Sequence, residues 1–134
     1  MKSIDISCIP AGEYMNDKQL AHFRRVLAER AEVTRAAVEL HRQALTQLAV
    51  PSDESDSGSV EEERRRLLAE VERQTLHLRE VASAIRRIDE GDYGYCEASG
   101  EEISLERLQA MPWAAYSVYS QEVLEHRLAT GRRV

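Results

Sequence analysis

The sequence predicts an all-α protein built on a long antiparallel coiled-coil hairpin. Two stretches repeat apolar residues at alternating three- and four-residue steps, the heptad pattern of a coiled coil. A polar, acidic segment, VPSDESDSGS, separates them. Two amphipathic helices joined this way fold back on each other because neither apolar stripe can be buried alone. Charged residues make up 31% of the 134 residues and aromatic residues 5%, which favours exposed helices over a thick globular core.

The first helix is predicted to begin at Asn16, whose side chain can cap it, with Gln19 as the reciprocal capping partner. Pro51 is expected to end the helix, since proline has no N–H to donate. Polar residues weaken the seam at Thr34 and His41. The seam positions are Leu20, Leu27, Ala31, Thr34, Val38, His41, Leu45 and Leu48.

The second helix is predicted to follow a capping box formed by Ser59 and Glu62 and to run to about Asp89. Three successive glutamates, residues 61–63, favour the positive end of the helix that they open. Its apolar spacing complements that of the first helix. The seam positions are Leu67, Val71, Gln74, Leu78, Val81, Ile85 and Ile88.

The heptad pattern stops after Gly91. Turns are expected at Gly94 and Gly100, and a last helix near Ser117 to Thr130, which Gly131 is placed to stop. The predicted organisation is therefore an N-terminal segment (1–15), the hairpin (16–90) with a tip loop (50–59), a small degenerate zinc-finger-like head (91–116), and a C-terminal helix and tail (117–134).

The head is laid out like a four-cysteine zinc module but has one cysteine. The positions that correspond to the zinc ligands are Cys96, Ser99, Ser117 and Ser120. A serine hydroxyl stays protonated near neutral pH and is a poor substitute for thiolate, so we expect no structural zinc, other metal or cofactor. Packing is expected to replace the metal, through Tyr93, Tyr95, Ile103, Leu105, Leu108, Trp113, Tyr116, Val118 and Tyr119.

Composition narrows the class of function. The net charge of −6 argues against duplex-DNA binding by the chain alone, because phosphate neutralisation needs a basic face. No apolar run is long enough to cross a bilayer and no signal-peptide core is visible. With Cys8 and Cys96 far apart in sequence, a reducing cytosol is expected. No nucleophile, base and orienting residue can be assembled from the motifs, so an enzyme is not expected.

Two segments carry a family resemblance. EYMNDKQLAHFRRVL (Glu13 to Leu27) and DYGYCEASGEEISLERLQAMP (Asp92 to Pro112), on either side of the hairpin, resemble the DksA/TraR family of bacterial transcription regulators. The likeness covers nearly the whole chain in matching order. It implies a DksA-like protein, without the zinc-binding cysteines, that inserts its hairpin into the secondary channel of RNA polymerase.

The resemblance also implies an acidic tip, Asp-x-x-Asp-x-Ala, near the polymerase active centre. Here it falls on Asp53, Asp56 and Gly58, with glycine where the family has alanine. Asp56 is expected to carry most of the effect and Asp53 a supporting share, while Gly58 loosens the loop. A calcium-binding loop is the alternative, but its twelfth position holds Arg64 instead of a bidentate glutamate. Arg73 matches a functional arginine of the family by register alone.

In the zinc-bearing relatives, basic side chains bind the alarmone guanosine tetraphosphate. The aligned positions here are Glu80, Met111 and Gln121. A polyphosphate needs cations or amide donors, and Glu80 would repel it. Weak or absent synergy with the alarmone is therefore expected, unless Arg79, Arg86 or Arg107 compensates.

Cys96 has two interpretations. The favoured one is a small buried residue that packs the metal-free head. The other is a redox-sensing thiol, against which stand the lack of a resolving cysteine and the nearby Glu97, Glu101 and Glu102, expected to raise its pKa.

Two functional hypotheses result. The first is a non-enzymatic transcription regulator, a cytoplasmic monomer whose partner is bacterial RNA polymerase. The second is a structural coiled-coil adaptor that binds a protein partner without tip activity. The change Asp56→Asn separates them, because only the first loses its effect on promoters.

Overall fold

The computed structural model describes residues 5–48 and 57–131. These described residues form four helices in chain order: α1 (Asp17–Gln47), α2 (Ser57–Glu90), α3 (Leu105–Ala110) and α4 (Val118–Ala129). The described residues form no strand, only an isolated antiparallel bridge between Tyr95 and Glu102. The predicted all-α class with two long helices and a C-terminal helix is therefore confirmed. Within the described ranges, no helix is long and apolar enough to cross a membrane.

The start of α1 is the one that the sequence predicts. The Asn16 side chain accepts a hydrogen bond from the Gln19 backbone N–H at 2.8 Å. The Gln19 side chain bonds back, although its partner is the N–H of Met15, at 2.7 Å, and not that of Asn16. The first bond satisfies an N–H group that a helix start otherwise leaves unpaired, and the second fixes the residue that precedes the cap.

Two of the three remaining long-helix boundaries differ from the prediction. Helix α1 ends at Gln47, before Pro51. The hydroxyl of Thr46 bonds back to the carbonyls of Arg42 and Gln43 at 3.1 and 2.8 Å, a local bond that competes with helix continuation. Ser59 lies inside α2, whose described part begins at Ser57. Ser59 is therefore not the predicted cap, and residues 57–59 belong to the helix instead of the tip loop.

The chain divides into two compact units, Met1–Ala28 with Val81–Val134, and Glu29–Glu80. This division differs from the predicted boundary between hairpin and head. The first unit joins the start of α1 and the end of α2 to the head, because Phe23 of α1 and Tyr93 of the head are both fully buried, with ring centroids 5.5 Å apart.

In the second unit the two helices meet along the predicted seam. Ala31, Thr34, Val38 and Leu67 are buried. His41 and Gln74 contact each other across the helices, with His41 Nδ1 3.0 Å from the Gln74 side-chain oxygen. The same nitrogen lies 2.7 Å from the carbonyl of Ala37. Two oxygen neighbours require Nδ1 to carry the proton, and such a polar pair in an apolar seam favours one register over others.

The first unit buries most of the large apolar side chains. A buried arginine, Arg87, lies among them. It donates to Glu97 and Ser83 at 3.3 Å and to the carbonyls of Trp113 and Ala114 at 3.4 Å. A buried guanidinium is tolerable only with such partners. The buried apolar side chains of this unit are Ile9, Phe23, Leu27, Val81, Ala84, Tyr93, Cys96, Ile103, Leu108 and Ala114.

The predicted packing of the head is correct only in part. Tyr93, Ile103 and Leu108 are buried, but Tyr95, Val118 and Tyr119 are exposed at 39%, 52% and 76%. Leu105, Trp113 and Tyr116 are half-buried. Helix α4 contributes no buried residue, so the part of the aromatic cluster assigned to it does not pack as expected. Phe23, in α1, supplies the missing aromatic contact.

Candidate functional site

The positions that correspond to zinc ligands come together in the structure. Cys96 begins a tight turn in which the Gly100 N–H donates to the Cys96 carbonyl at 2.8 Å. Gly100 has a φ of +75°, a conformation that favours glycine. Ser117 caps α4 and accepts from the Ser120 N–H at 3.2 Å. Hydrogen bonds to the Cys96 thiol then come from Ser99, Ser117 and Ser120, so all four positions share one site.

These contacts set the pKa of the Cys96 thiol. Burial raises the pKa, but hydrogen bonds from the Ser120 and Ser99 hydroxyls, and from the backbone at Ser117 and Ser99, together lower it to about 6. Donors that touch the sulfur favour the thiolate directly. The expected rise caused by Glu97, Glu101 and Glu102 is therefore wrong, since these exposed carboxylates are screened by water.

The donor set does not fit zinc. One thiol and three serines supply a single soft ligand, and the serine hydroxyls are engaged as donors to the sulfur or, at Ser117, as a helix cap. Structural zinc sites use four sulfur or nitrogen ligands. Elsewhere in the described residues, no group of three or more histidine, cysteine, aspartate or glutamate side chains could hold a metal ion.

The predicted tip is only partly visible. Asp53 and Asp56 lie outside the described residues, so their positions stay a prediction. Gly58 is exposed and lies in the first turn of α2, not in a loosened loop as expected. A Cβ added there would meet no heavy atom within 4 Å. An alanine would therefore fit at this position.

Arg73 lies on α2 with 73% of its side chain exposed and forms an ion pair with Glu70 one turn earlier. The hydrogen bond between the two raises the pKa of Arg73 and lowers that of Glu70. An exposed pair of this kind contributes little to stability. Arg73 is therefore available to a partner at the small cost of leaving Glu70.

The predicted alarmone positions offer no cation. Glu80 is half exposed and 3.8 Å from His77. Met111 is the C-cap residue that follows α3, with 36% of its surface exposed. Gln121 donates to Glu125 at 3.0 Å. Glu80 belongs to the second compact unit, whereas the other two belong to the first.

The three arginines that could supply the missing positive charge for the alarmone differ in exposure and in the hydrogen bonds that they already make. Arg107 is half-buried and donates to the carbonyl of Tyr116 at 2.9 Å. Arg86 is exposed, with one long bond of 3.4 Å to Ser83. Arg79 is exposed on α2. Arg107 would have to give up a structural bond in order to bind phosphate, so Arg86 and Arg79 are the freer cations.

Sequence reasoning missed two residues that organise the head. Arg87 follows Arg86 in a run of charged residues, and nothing in its spacing separates it from a solvated side chain. Tyr14 precedes α1, yet its hydroxyl donates to the carbonyl of Gly94 at 2.6 Å. Its place inside the EYMN motif was a signal that the motif does more than begin a helix.

Comparison with known proteins identifies the family of this chain. Residues 91–126 match the model described as "Prokaryotic dksA/traR C4-type zinc finger". The chain is 37% identical over 115 residues to the RNA polymerase-binding transcription factor DksA of Caulobacter vibrioides, covering 85% of this chain and 81% of that protein. The chain belongs to the DksA/TraR family.

Other DksA proteins agree with this assignment. The RNA polymerase-binding transcription factor DksA of Escherichia coli K12 is 33% identical over 123 residues, which cover 88% of this chain and 79% of that protein. Transcription factor DksA2 from Pseudomonas aeruginosa superposes with a TM-score of 0.80 at 35% identity, over 90% of this chain and 93% of that one. The family's zinc finger is of the C4 type, with four cysteines, and at those four positions this member has only Cys96.

Proposed function

We propose that this chain binds bacterial RNA polymerase and regulates transcription initiation without a structural zinc. The observation that carries the proposal is the match to proteins named RNA polymerase-binding transcription factors along 85% and 88% of the chain. The similarity to transcription factor DksA2 from Pseudomonas aeruginosa supports the same class of function. As a regulator that works in contact with polymerase, the protein acts in the cytoplasm and needs no catalytic group of its own.

The hairpin is proposed to enter the secondary channel with the tip loop foremost. By analogy with the family's acidic tip, Asp53 and Asp56 are proposed to lie in that loop. Carboxylates suit this role because hard cations such as the catalytic magnesium favour oxygen ligands. Helix α2, which follows the loop, carries Arg73 as a candidate contact with polymerase. The Arg73 side chain is exposed and pairs with Glu70 at the surface.

Asp56→Asn tests the proposal. The variant keeps the volume of the side chain and removes its charge, so polymerase binding should persist while most of the effect on a ribosomal RNA promoter is lost. Transcription in vitro measures the effect, and competition with a labelled DksA protein measures binding. Glu54→Gln removes a charge from a position that the motif leaves unspecified, between the two aspartates, and should leave both unchanged. If Asp56→Asn alters neither, the chain is a structural adaptor.

The same reactions test the proposed weak response to guanosine tetraphosphate. Glu80, Met111 and Gln121 provide neither a cation nor a cluster of amide donors for a polyphosphate. Adding the alarmone to polymerase and this protein should therefore change promoter output little more than adding it to polymerase alone. A clear gain would show that other side chains, with Arg86 and Arg79 the first candidates, bind it.

A further inference from the structure

The residues just before α1, 8–16, form a strap between the start of that helix and the head. At the α1 end the strap is fixed by Gln19, which is 1% exposed. Its side chain donates to the Pro10 carbonyl at 2.9 Å and accepts from the Met15 N–H at 2.7 Å. Ile9 of the strap is 6% exposed. The strap is therefore a packed part of the first compact unit, anchored by a buried amide.

At the other end, Tyr14 joins the strap to the head. Its hydroxyl lies 2.6 Å from the carbonyl oxygen of Gly94 and also within hydrogen-bond distance of that of Ile103. The hydroxyl has one proton to donate, so the two carbonyls share it. Gly94 and Ile103 are themselves paired, with the Ile103 N–H 2.7 Å from the Gly94 carbonyl. One side chain thus clamps both ends of the turn that contains Cys96.

The approach of the strap to this turn is close. Gly94 has a φ of +94°, and a Cβ on it would lie 2.9 Å from both the Tyr14 hydroxyl and Met15 Cγ. The Tyr14 ring also meets the Tyr95 ring edge-on, with centroids 5.8 Å apart. Burial raises the pKa of Tyr14 above its ordinary value, so its hydroxyl stays protonated and donates at physiological pH.

In a four-cysteine module the metal holds the two pairs of cysteines together. The free energy of metal binding therefore contributes directly to the free energy of folding. The four positions here cannot supply that energy. We propose that the strap takes over part of the metal's structural task, with Tyr14 holding the turn 94–103 in shape from the α1 side. This clamp stabilises the head whether or not the protein binds polymerase.

Peptide-resolved hydrogen exchange on Tyr14→Phe tests the clamp, since the variant loses the hydroxyl and keeps the ring. Loss of one partly buried hydrogen bond should speed exchange of the Cys96 and Ile103 amides about fivefold. Their bonds to the carbonyls of Glu101 and Gly94 are 2.8 and 2.7 Å long. Exchange in residues 57–80 should not change. Tyr119→Phe is the matched control, because Tyr119 is 76% exposed.

The same Tyr14→Phe change in a zinc-binding variant shows whether the Tyr14 contact substitutes for the metal or is an ordinary packing contact. Ser99→Cys, Ser117→Cys and Ser120→Cys together restore the four-cysteine set, and zinc content confirms loading. In the zinc-loaded protein, Tyr14→Phe should speed exchange of the turn much less than in the natural chain. Equal acceleration in both backgrounds would overturn the proposal, and so would unchanged exchange of the turn in the natural chain.

Discussion

Cys96 shows how a single position can keep a place in a site while its chemistry changes. The sequence correctly suggested a buried side chain, since Cys96 is 2% exposed. Its acidity could not be foreseen, because the hydrogen bonds that lower the pKa come from serines up to 24 positions away. The sequence set these serines at the ligand positions with Cys96, but it did not show that they donate hydrogen bonds to the sulfur. Contact with a donor outweighs an exposed charge at greater distance.

Titration of Cys96 tests this account. In a Cys8→Ser background, the ultraviolet absorbance of the thiolate should appear with a midpoint at about 6 instead of the ordinary 9.0. Ser120→Ala should move the midpoint toward 9.0, whereas Ser59→Ala, on exposed helix surface, should not. A midpoint at or above the ordinary value in the parent protein would contradict the hydrogen-bonded arrangement.

The lowered pKa of Cys96 determines whether the free energy of unfolding rises or falls with pH. The folded chain releases the thiol proton near pH 6, and the unfolded chain holds it until about pH 9. Between these values the unfolded state binds more protons, so this group makes the free energy of unfolding rise with pH. Urea unfolding across that range should show the rise in the Cys8→Ser protein and lose it in Cys8→Ser/Cys96→Ala.

At the scale of the helices, periodicity was a reliable guide and boundaries were not. The seam residues Leu27, Val38, Leu67 and Val81 are buried as predicted, because a heptad repeat fixes which face meets the partner helix. Helix α3 was missed, since its six residues are too few for a periodic signal. Ser59 resembled a cap because the residues before it looked like loop. Helix α2 nevertheless includes it.

Gly58 and Gly100 make a matched pair of tests at this scale. Neither has a heavy atom within 4 Å of an added Cβ, but Gly100 has a φ of +75° while Gly58 is helical. Gly58→Ala should raise the free energy of unfolding by up to about 1 kcal/mol. Gly100→Ala should lower it by about 1 kcal/mol. Urea unfolding measures both. A loss at Gly58 as large as that at Gly100 would refute the helical assignment.

For the whole molecule, the sequence predicted the order of its parts but not how they share a core. The head was expected to cohere by its own aromatic residues. Instead, Phe23 packs on Tyr93 from α1, Arg87 reaches the Trp113 and Ala114 carbonyls, and Tyr14 clamps the Gly94 turn. These contacts join residues 26 to 80 positions apart, and no local pattern encodes them. The family resemblance ordered the segments correctly because it uses motifs and not contacts.

This family member is proposed to engage RNA polymerase without metal. Competition for polymerase against a zinc-bearing DksA protein, with this chain either untreated or stripped with a strong zinc chelator that is removed before the assay, tests it most directly. We predict that this chain displaces the labelled competitor equally well in both conditions, because Cys96, Ser99, Ser117 and Ser120 do not form a zinc site. Loss of its binding on chelation, or failure to compete in either condition, would contradict the account.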